Sequence, residues 1–234
     1  MLEIWGRRNS SNVIPVMWAV GELDLPHIRH DVGGSFGGLS TSTFLAMNPN
    51  GKIPTINDDG FVLWESNAII RYLCGRYGRG SLSPEDEEQR AVADQWMEWH
   101  KTTSYPDYIN LFWAIVRTEP THREPAKIKR LAESLAKSLQ ILEAQLARHA
   151  YVAGDQLTMA DISIGSAMYR YFNLDVEVPA LPNIVDWYRR LCDRPAFQEH
   201  AMVPFGTNPA EWYVLEHRGA ANATEIDENL RRKP

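Results

Sequence analysis

Cysteine is scarce in this chain: there are two in 234 residues, Cys74 and Cys192, far apart and each set in an apolar helical pattern. Without a Cys-x-x-Cys pair there is no dithiol redox centre. Two such distant residues are expected to be reduced core thiols, not a disulfide framework. Positive charge is also short, with 24 Lys+Arg against 30 Asp+Glu for a net charge of −6. That balance argues against nucleic acid as the main partner. No apolar run approaches the length of a membrane span, so no membrane partner is expected. Met1-Leu-Glu-Ile-Trp5 begins like a strand, not a signal peptide. The expected compartment is the cytoplasm. Histidines do not cluster: His27 and His100 are isolated, structural or exposed, and no metal site is expected. The acidic run Glu85-Asp-Glu-Glu88 suits the positive end of a helix dipole better than a cation. Asn222-Ala-Thr224 matches a glycosylation acceptor, but it lacks the secretory signal that would give the match meaning.

What is present is ordinary globular composition, 44% apolar and 23% charged. The length suffices for a sizeable core in one large or two small domains. Residues 1–78 mix strand and helix patterns. Leu2-Glu-Ile-Trp5 alternates like a strand, and Val13, Val16, Met17, Val20 and Leu23 recur at helical spacing after a polar loop. Leu25 to Asp31 predicts a second strand, followed by a Gly- and Ser-rich loop from Gly33 to Ser42. Arg79 to Pro84 reads as a linker, and residues 85–200 read as all helix. Ser83 is the expected cap of the first helix, with Pro84 at its first position. Between Ala126 and His149 a core stripe runs through Ile128, Leu131, Leu135, Leu139, Leu142 and Leu146. Thr158-Met-Ala-Asp161 is a capping-box variant, and Pro182 to Cys192 predicts a further helix. Residues 201–234 form a C-terminal tail, polar from Gly219 onward and expected to be mobile or docked on a neighbour.

One segment carries chemistry. Ile53-Pro-Thr-Ile56 and Phe61-Val-Leu-Trp64, separated by Asn57-Asp-Asp-Gly60, predict a β-hairpin. Pro54 cannot donate to a ladder and so belongs at a strand start or edge, and it is expected to follow a cis bond. Glu65-Ser66 then opens an apolar helix whose free N–H groups, with the Ser66 hydroxyl, make a site for a carboxylate or phosphate.

The ordered pair Asn48-Pro-Asn-Gly-Lys-Ile-Pro54 and Glu65-Ser-Asn-Ala-Ile69 resembles the glutathione transferase family over residues 1 to about 200. The bacterial members of serine or asparagine type are the most similar. The resemblance implies a thioredoxin-like α/β domain (1–78), an all-α domain (85–200), and glutathione as co-substrate with no metal. It implies that the Ile53 backbone before Pro54 pairs with the tripeptide's cysteinyl unit, that Glu65 and Ser66 take its γ-glutamyl carboxylate, and that Lys52 reaches its glycyl carboxylate. A solvated surface lysine is the plain alternative for Lys52. It also implies a homodimer. The helix from about Glu85 to Tyr105 is expected at the interface, because Trp96, Met97 and Trp99 are more bulk than one helical face needs.

Glutathione chemistry needs a thiolate, and a free thiol of pKa about 8.5 is mostly protonated at neutral pH. Asn9-Ser-Ser-Asn12 lies between the first strand and the first helix, where a donor to sulfur belongs. The family's serine members place the hydroxyl six residues before a buried valine on that helix. Counting back from Val16 gives Ser10, with Asn12 as an accompanying amide and Ser11 as the rival one residue on. Ser and Asn before a helix also serve as plain caps. The loop has neither Tyr nor Cys, which disfavours a tyrosine-type transferase and a cysteine-dependent deglutathionylase. For the electrophile, the candidates are Tyr105, Tyr108, Phe112 and Trp113, with Arg117, Phe205 and Trp212 nearby in pattern; interhelical core is the competing role. The expected activity is conjugation of the glutathione thiolate to hydrophobic or halogenated electrophiles. A glutathione-dependent disulfide reductase and a non-catalytic binding module on the same fold are the alternatives.

Overall fold

The computed structural model describes residues 1–217. Its first part is a four-stranded sheet in the order β2-β1-β3-β4. Strands β1 (Leu2–Trp5) and β2 (His27–His30) are parallel. Strand β3 (Thr55–Asp58) runs antiparallel to β1 and forms a hairpin with β4 (Phe61–Trp64). The hairpin turn closes as its side chains dictate. The Gly60 N–H donates to Asn57 Oδ1 at 2.7 Å, while Asp59 and Gly60 take positive φ.

Helix α1 (Ile14–Glu22) crosses from β1 to β2 and is buried over all seven residues from Ile14 to Val20. It touches α3 (Ser66–Tyr77) on one side and, on others, helices of the second part: α7 (Met159–Gly165) and α10 (Pro195–His200). A helix apolar all round is one enclosed on every side. A short helix α2 (Ser42–Met47), capped by Thr41, begins at the last residue of the expected Gly33–Ser42 loop and occupies a stretch for which the sequence predicted no element.

The second part is helical. Helix α4 (Glu87–Trp99) is capped by Asp86, whose carboxylate accepts from Gln89 N at 2.9 Å. This corrects the sequence expectation of a Ser83 cap. Ser83 is instead buried in a turn with its carbonyl accepting from Gly80 N, and the acidic residues Glu87 and Glu88 occupy the first turn as the helix dipole favours. A π-helical turn (His100–Ser104) joins α4 to α5 (Tyr105–Val116). Helix α6 (Pro125–Leu146) packs on α5 and on α9 (Pro182–Cys192). Its stripe is as predicted from Leu135 to Leu146, while Ile128 and Leu131 are only half-buried. The capping box at Thr158 is present, and buried Asp161 accepts from Val152 N, Thr158 N, Thr158 Oγ1 and Trp187 Nε1.

Helix α8 (Met168–Phe172) follows α7, and α11 (Pro209–Glu216), capped by Asn208, ends the described chain. The polar stretch from Gly219 and the triplet at Asn222 lie outside the described residues. Trp96 and Met97 are buried inside the chain's own core and Trp99 packs against it, so their bulk is already accounted for without a partner. Both cysteines are free, and burial pushes the Cys74 thiol up to about 12.

Candidate active site

The loop after β1 bends back onto α1 because of Gly6, where an added Cβ would stand 2.4 Å from Val13 Cγ2. Backbone bonds from Gly6 N to His30 O and from Arg7 N to Val32 O carry the sheet pairing one step further. The chain then turns at Ser10, whose carbonyl accepts the N–H groups of Val13 and Ile14. Ser10 is 6% exposed, and its Oγ accepts from Asn12 N at 3.4 Å. Ser10 thus serves the turn into α1.

Ser11 and Asn12 face the other way. They line a narrow cleft together with Ser66 and Asn67 at the start of α3. The helical part contributes His100, Lys101, Tyr105, Tyr108, Ser163 and Ser166. Of the two serines that the sequence left in competition, Ser11 is the one in the cleft and Ser10 is not. The landmark valine could not decide between them, since α1 is buried on every face and burial of Val16 fixes no register.

The segment before β3 is held from inside. Asn48, 2% exposed, donates from Nδ2 to the Lys52 carbonyl at 2.8 Å and to Thr55 Oγ1 at 3.1 Å, and accepts Asn50 N at 3.0 Å. The Ile53–Pro54 peptide bond is cis. Ile53 packs against the core while the Lys52 side chain is exposed. Glu65 is exposed and has φ 74°, a conformation that costs a non-glycine residue about 1–3 kcal/mol. The turn into α3 buries the Ser66 side chain at the cleft, at the helix end where N–H groups lack intrahelical partners.

Among the aromatic candidates, Tyr105 and Tyr108 reach the cleft. Phe112 lies one layer deeper, 1% exposed, against Phe205 and Trp212 at centroid distances of 5.5 and 5.6 Å. Trp113 is not brought to the cleft: it stands 54% exposed on the other side of α5. The Arg117 guanidinium covers the Trp212 ring at 4.7 Å. Helix α11 closes this layer and is tied to the first part through Glu216. Its carboxylate pairs with Arg7 Nε at 2.8 Å and accepts from Ser35 N and Oγ in the Gly-rich loop.

Sequence reasoning missed two groups that line the cleft, His100 and Lys101, and one buried behind it, Arg170. Burial pushes His100 down to about 3, so it is a neutral ring bonded through Nδ1 to Ser104 Oγ at 2.7 Å. Lys101 is placed by the π-helical turn, its Nζ 3.4 Å from Asn12 Oδ1. Arg170 on α8 is fully buried and donates to Ser11 Oγ at 2.8 Å and to the Asn9 carbonyl at 2.7 Å. The signal for Arg170 was available: a lone charge in the apolar run Ala167-Met-Tyr-Arg-Tyr-Phe172. Burial raises the Tyr105 and Tyr108 phenols, which therefore stay protonated. A roomier groove between α5, α6 and the segment around Val176 and Pro179 holds none of the expected site residues.

Two family descriptions match the chain: "Glutathione S-transferase, N-terminal domain" over residues 9–76 and "Glutathione S-transferase, C-terminal domain" over 104–195. Glutathione S-transferase GstB of Escherichia coli is 37% identical over 206 residues, covering 87% of this chain and 99% of its own length. The chain belongs to the glutathione S-transferase family. Glutathione S-transferase 3 of Zea mays is 31% identical over 219 residues, covering 89% of the transferase described here and 97% of itself. A theta class enzyme from Xanthomonas axonopodis pv. citri, solved with glutathione bound, superposes with a TM-score of 0.84 at 40% identity. That structure covers 88% of this chain and 99% of the other. The small mixed sheet followed by helices is thus the fold of this family, and the transferase is an enzyme of it.

Proposed function

We propose that the transferase binds glutathione in the cleft between loop 9–12 and the start of α3, ionises its thiol, and adds the sulfur to a small electrophile or displaces a halide from it. In displacement, the thiolate lone pair forms a carbon–sulfur bond as the carbon–halogen bond breaks, and the halide leaves with its electron pair. The observation that carries this reading is that Ser11, Asn12 and Ser66, drawn from two separate segments, line one cleft. Ser11 and Asn12 serve as donors to sulfur, which favour the charged form of a thiol. Ser66, Glu65 and the start of α3 take the γ-glutamyl end, the Ile53 backbone pairs with the cysteinyl unit, and Lys52 reaches the glycyl carboxylate from the surface. Tyr105 and Tyr108, backed by Phe112, form the wall for the electrophile.

Cytoplasmic action as a homodimer belongs to the same proposal. Edge strand β4 supports it, since Phe61, Val62 and Trp64 are all at least a third exposed, as are Tyr77 on α3 and Val92 on α4. Addition of glutathione to the purified protein is expected to produce thiolate absorbance in the ultraviolet at neutral pH, together with turnover of a model aryl halide. Turnover of a small disulfide without turnover of the halide would overturn conjugation in favour of reduction.

A further inference from the structure

We propose that Arg170, seconded by Tyr105 and Lys101, is a positioning residue of the transferase: it fills the acceptor side of the catalytic loop, so that Ser11 and Asn12 offer only protons to sulfur. The inference rests on the reading that these two residues face the glutathione thiol.

Donor and acceptor inventories carry it. A serine hydroxyl has one proton and two lone pairs, and a guanidinium can only donate. Arg170 Nη1 donates to Ser11 Oγ at 2.8 Å, and its Nη2 donates to the Asn9 carbonyl at 2.7 Å. With an obligate donor already on its oxygen, the Ser11 hydroxyl must aim its proton away from Arg170, and the cleft that Ser11 lines is open to it. Asn12 is treated the same way. The Tyr105 hydroxyl donates to Asn12 Oδ1 at 3.0 Å, and the Lys101 ammonium lies 3.4 Å from the same oxygen. The reversed amide would turn N–H groups against an ammonium, so Nδ2 is the end left for the ligand. Donors without competing acceptors attract a thiolate and gain little from a thiol.

Charge points the same way. Arg170 is fully buried among the rings of Phe112 (4.9 Å), Trp212 (5.4 Å) and Phe205 (6.0 Å), and its Nε has no hydrogen-bond partner. No carboxylate pairs with it among the described residues, whereas Arg7, its neighbour in the field, is matched by Glu216. A buried cation without a counter-ion is costly in the empty enzyme. A thiolate one hydroxyl away supplies the missing negative charge.

The test is a pH titration of bound glutathione by thiolate absorbance, run on wild type, Arg170→Met, Arg170→Lys and Tyr105→Phe. S-methylglutathione, which cannot ionise, reports binding alone. Arg170→Met is expected to raise the thiol pKa by about one unit or more. It should lower kcat/KM about tenfold at pH 6.5 with recovery at high pH, and leave S-methylglutathione affinity within about twofold. Arg170→Lys should recover part of the shift, and Tyr105→Phe should give a smaller shift of the same sign. If Arg170→Met does not fold, the Lys and Phe variants decide alone. A wild-type thiolate with unshifted titration in the variants overturns the inference and leaves the proposed function standing. Equal loss of S-methylglutathione binding and of thiolate would make Arg170 structural, also against the inference. Absence of thiolate in the wild type would instead remove the proposed function itself.

Discussion

A hydroxyl that holds a thiolate must turn its proton to sulfur while its oxygen is satisfied elsewhere, and Ser11 Oγ already accepts from Arg170. Ser11→Ala is expected to raise the thiol pKa of bound glutathione and to lower kcat about 10²-fold with little change in glutathione KM. Ser10→Ala should leave that pKa unmoved, because Ser10 Oγ is turned toward the Asn12 N–H. Steady-state kinetics with a thiolate titration checks both; the reverse ranking would return the role to Ser10. His100 gives a different kind of prediction. Burial moves its pKa from 6.5 to about 3, so the unfolded chain takes up a proton that the folded chain refuses. The group's stabilisation is complete above pH 6.5 and is lost as pH falls from there toward 3. Between pH 7 and pH 5 that loss is about 2 kcal/mol. His100→Gln, measured by urea unfolding at both pH values, should show a correspondingly smaller drop than wild type. Equal drops would mean that the imidazole is not held neutral.

At the scale of elements, caps and short hydrogen-bonded turns decide where segments begin. Asp161 ties the start of α7 to Val152 and to Trp187 on α9. Asp161→Ala leaves these donors buried and unmatched and should cost about 3–5 kcal/mol in urea unfolding; a change under about 1 kcal/mol would show that the box is ornamental. Ser66→Ala at the start of α3 should raise the glutathione KM about tenfold or more through loss of a charge-assisted contact. An unchanged KM would detach α3 from the tripeptide. Such local chemistry is what made α3, α7, α9 and the hairpin legible in sequence: each has its punctuation within three or four residues. The rest was less legible for physical reasons. Ser83-Pro84 imitates a helix start as well as Asp86 does, and only tertiary packing chooses between them. The site's first-domain half, from Ser11 to Ser66, lay in motifs. Of its second-domain half only Tyr105 and Tyr108 were legible, because Lys101 depends on a π-helical turn and Arg170 on a contact 159 residues away in sequence.

Across the whole molecule, the two parts share one buried surface through α1, which α3, α7 and α10 enclose. The exposed apolar side chains of β4 sit away from that surface, on a sheet edge that no strand pairs among the described residues. A homodimer using this edge should persist on dilution through the micromolar range. Trp64→Glu is expected to shift light-scattering mass toward the monomer while sparing the fold as judged by circular dichroism. A wild-type monomer at all concentrations would dispose of that arrangement.

The bond between Arg170 and Ser11 also sets an order of events in time. During synthesis at about 5–20 residues per second, Ser11 emerges about 10–30 s before the arginine 159 residues downstream. Late in that interval a nascent chain carries the sheet, α3 and every first-domain group proposed to grip the tripeptide, but not Arg170. In such a chain Ser11 and the Asn9 carbonyl lack the donor that ties them to α8, and α1 lacks the cover of α10, so the catalytic loop takes its final shape only after nearly all of the described chain has been made.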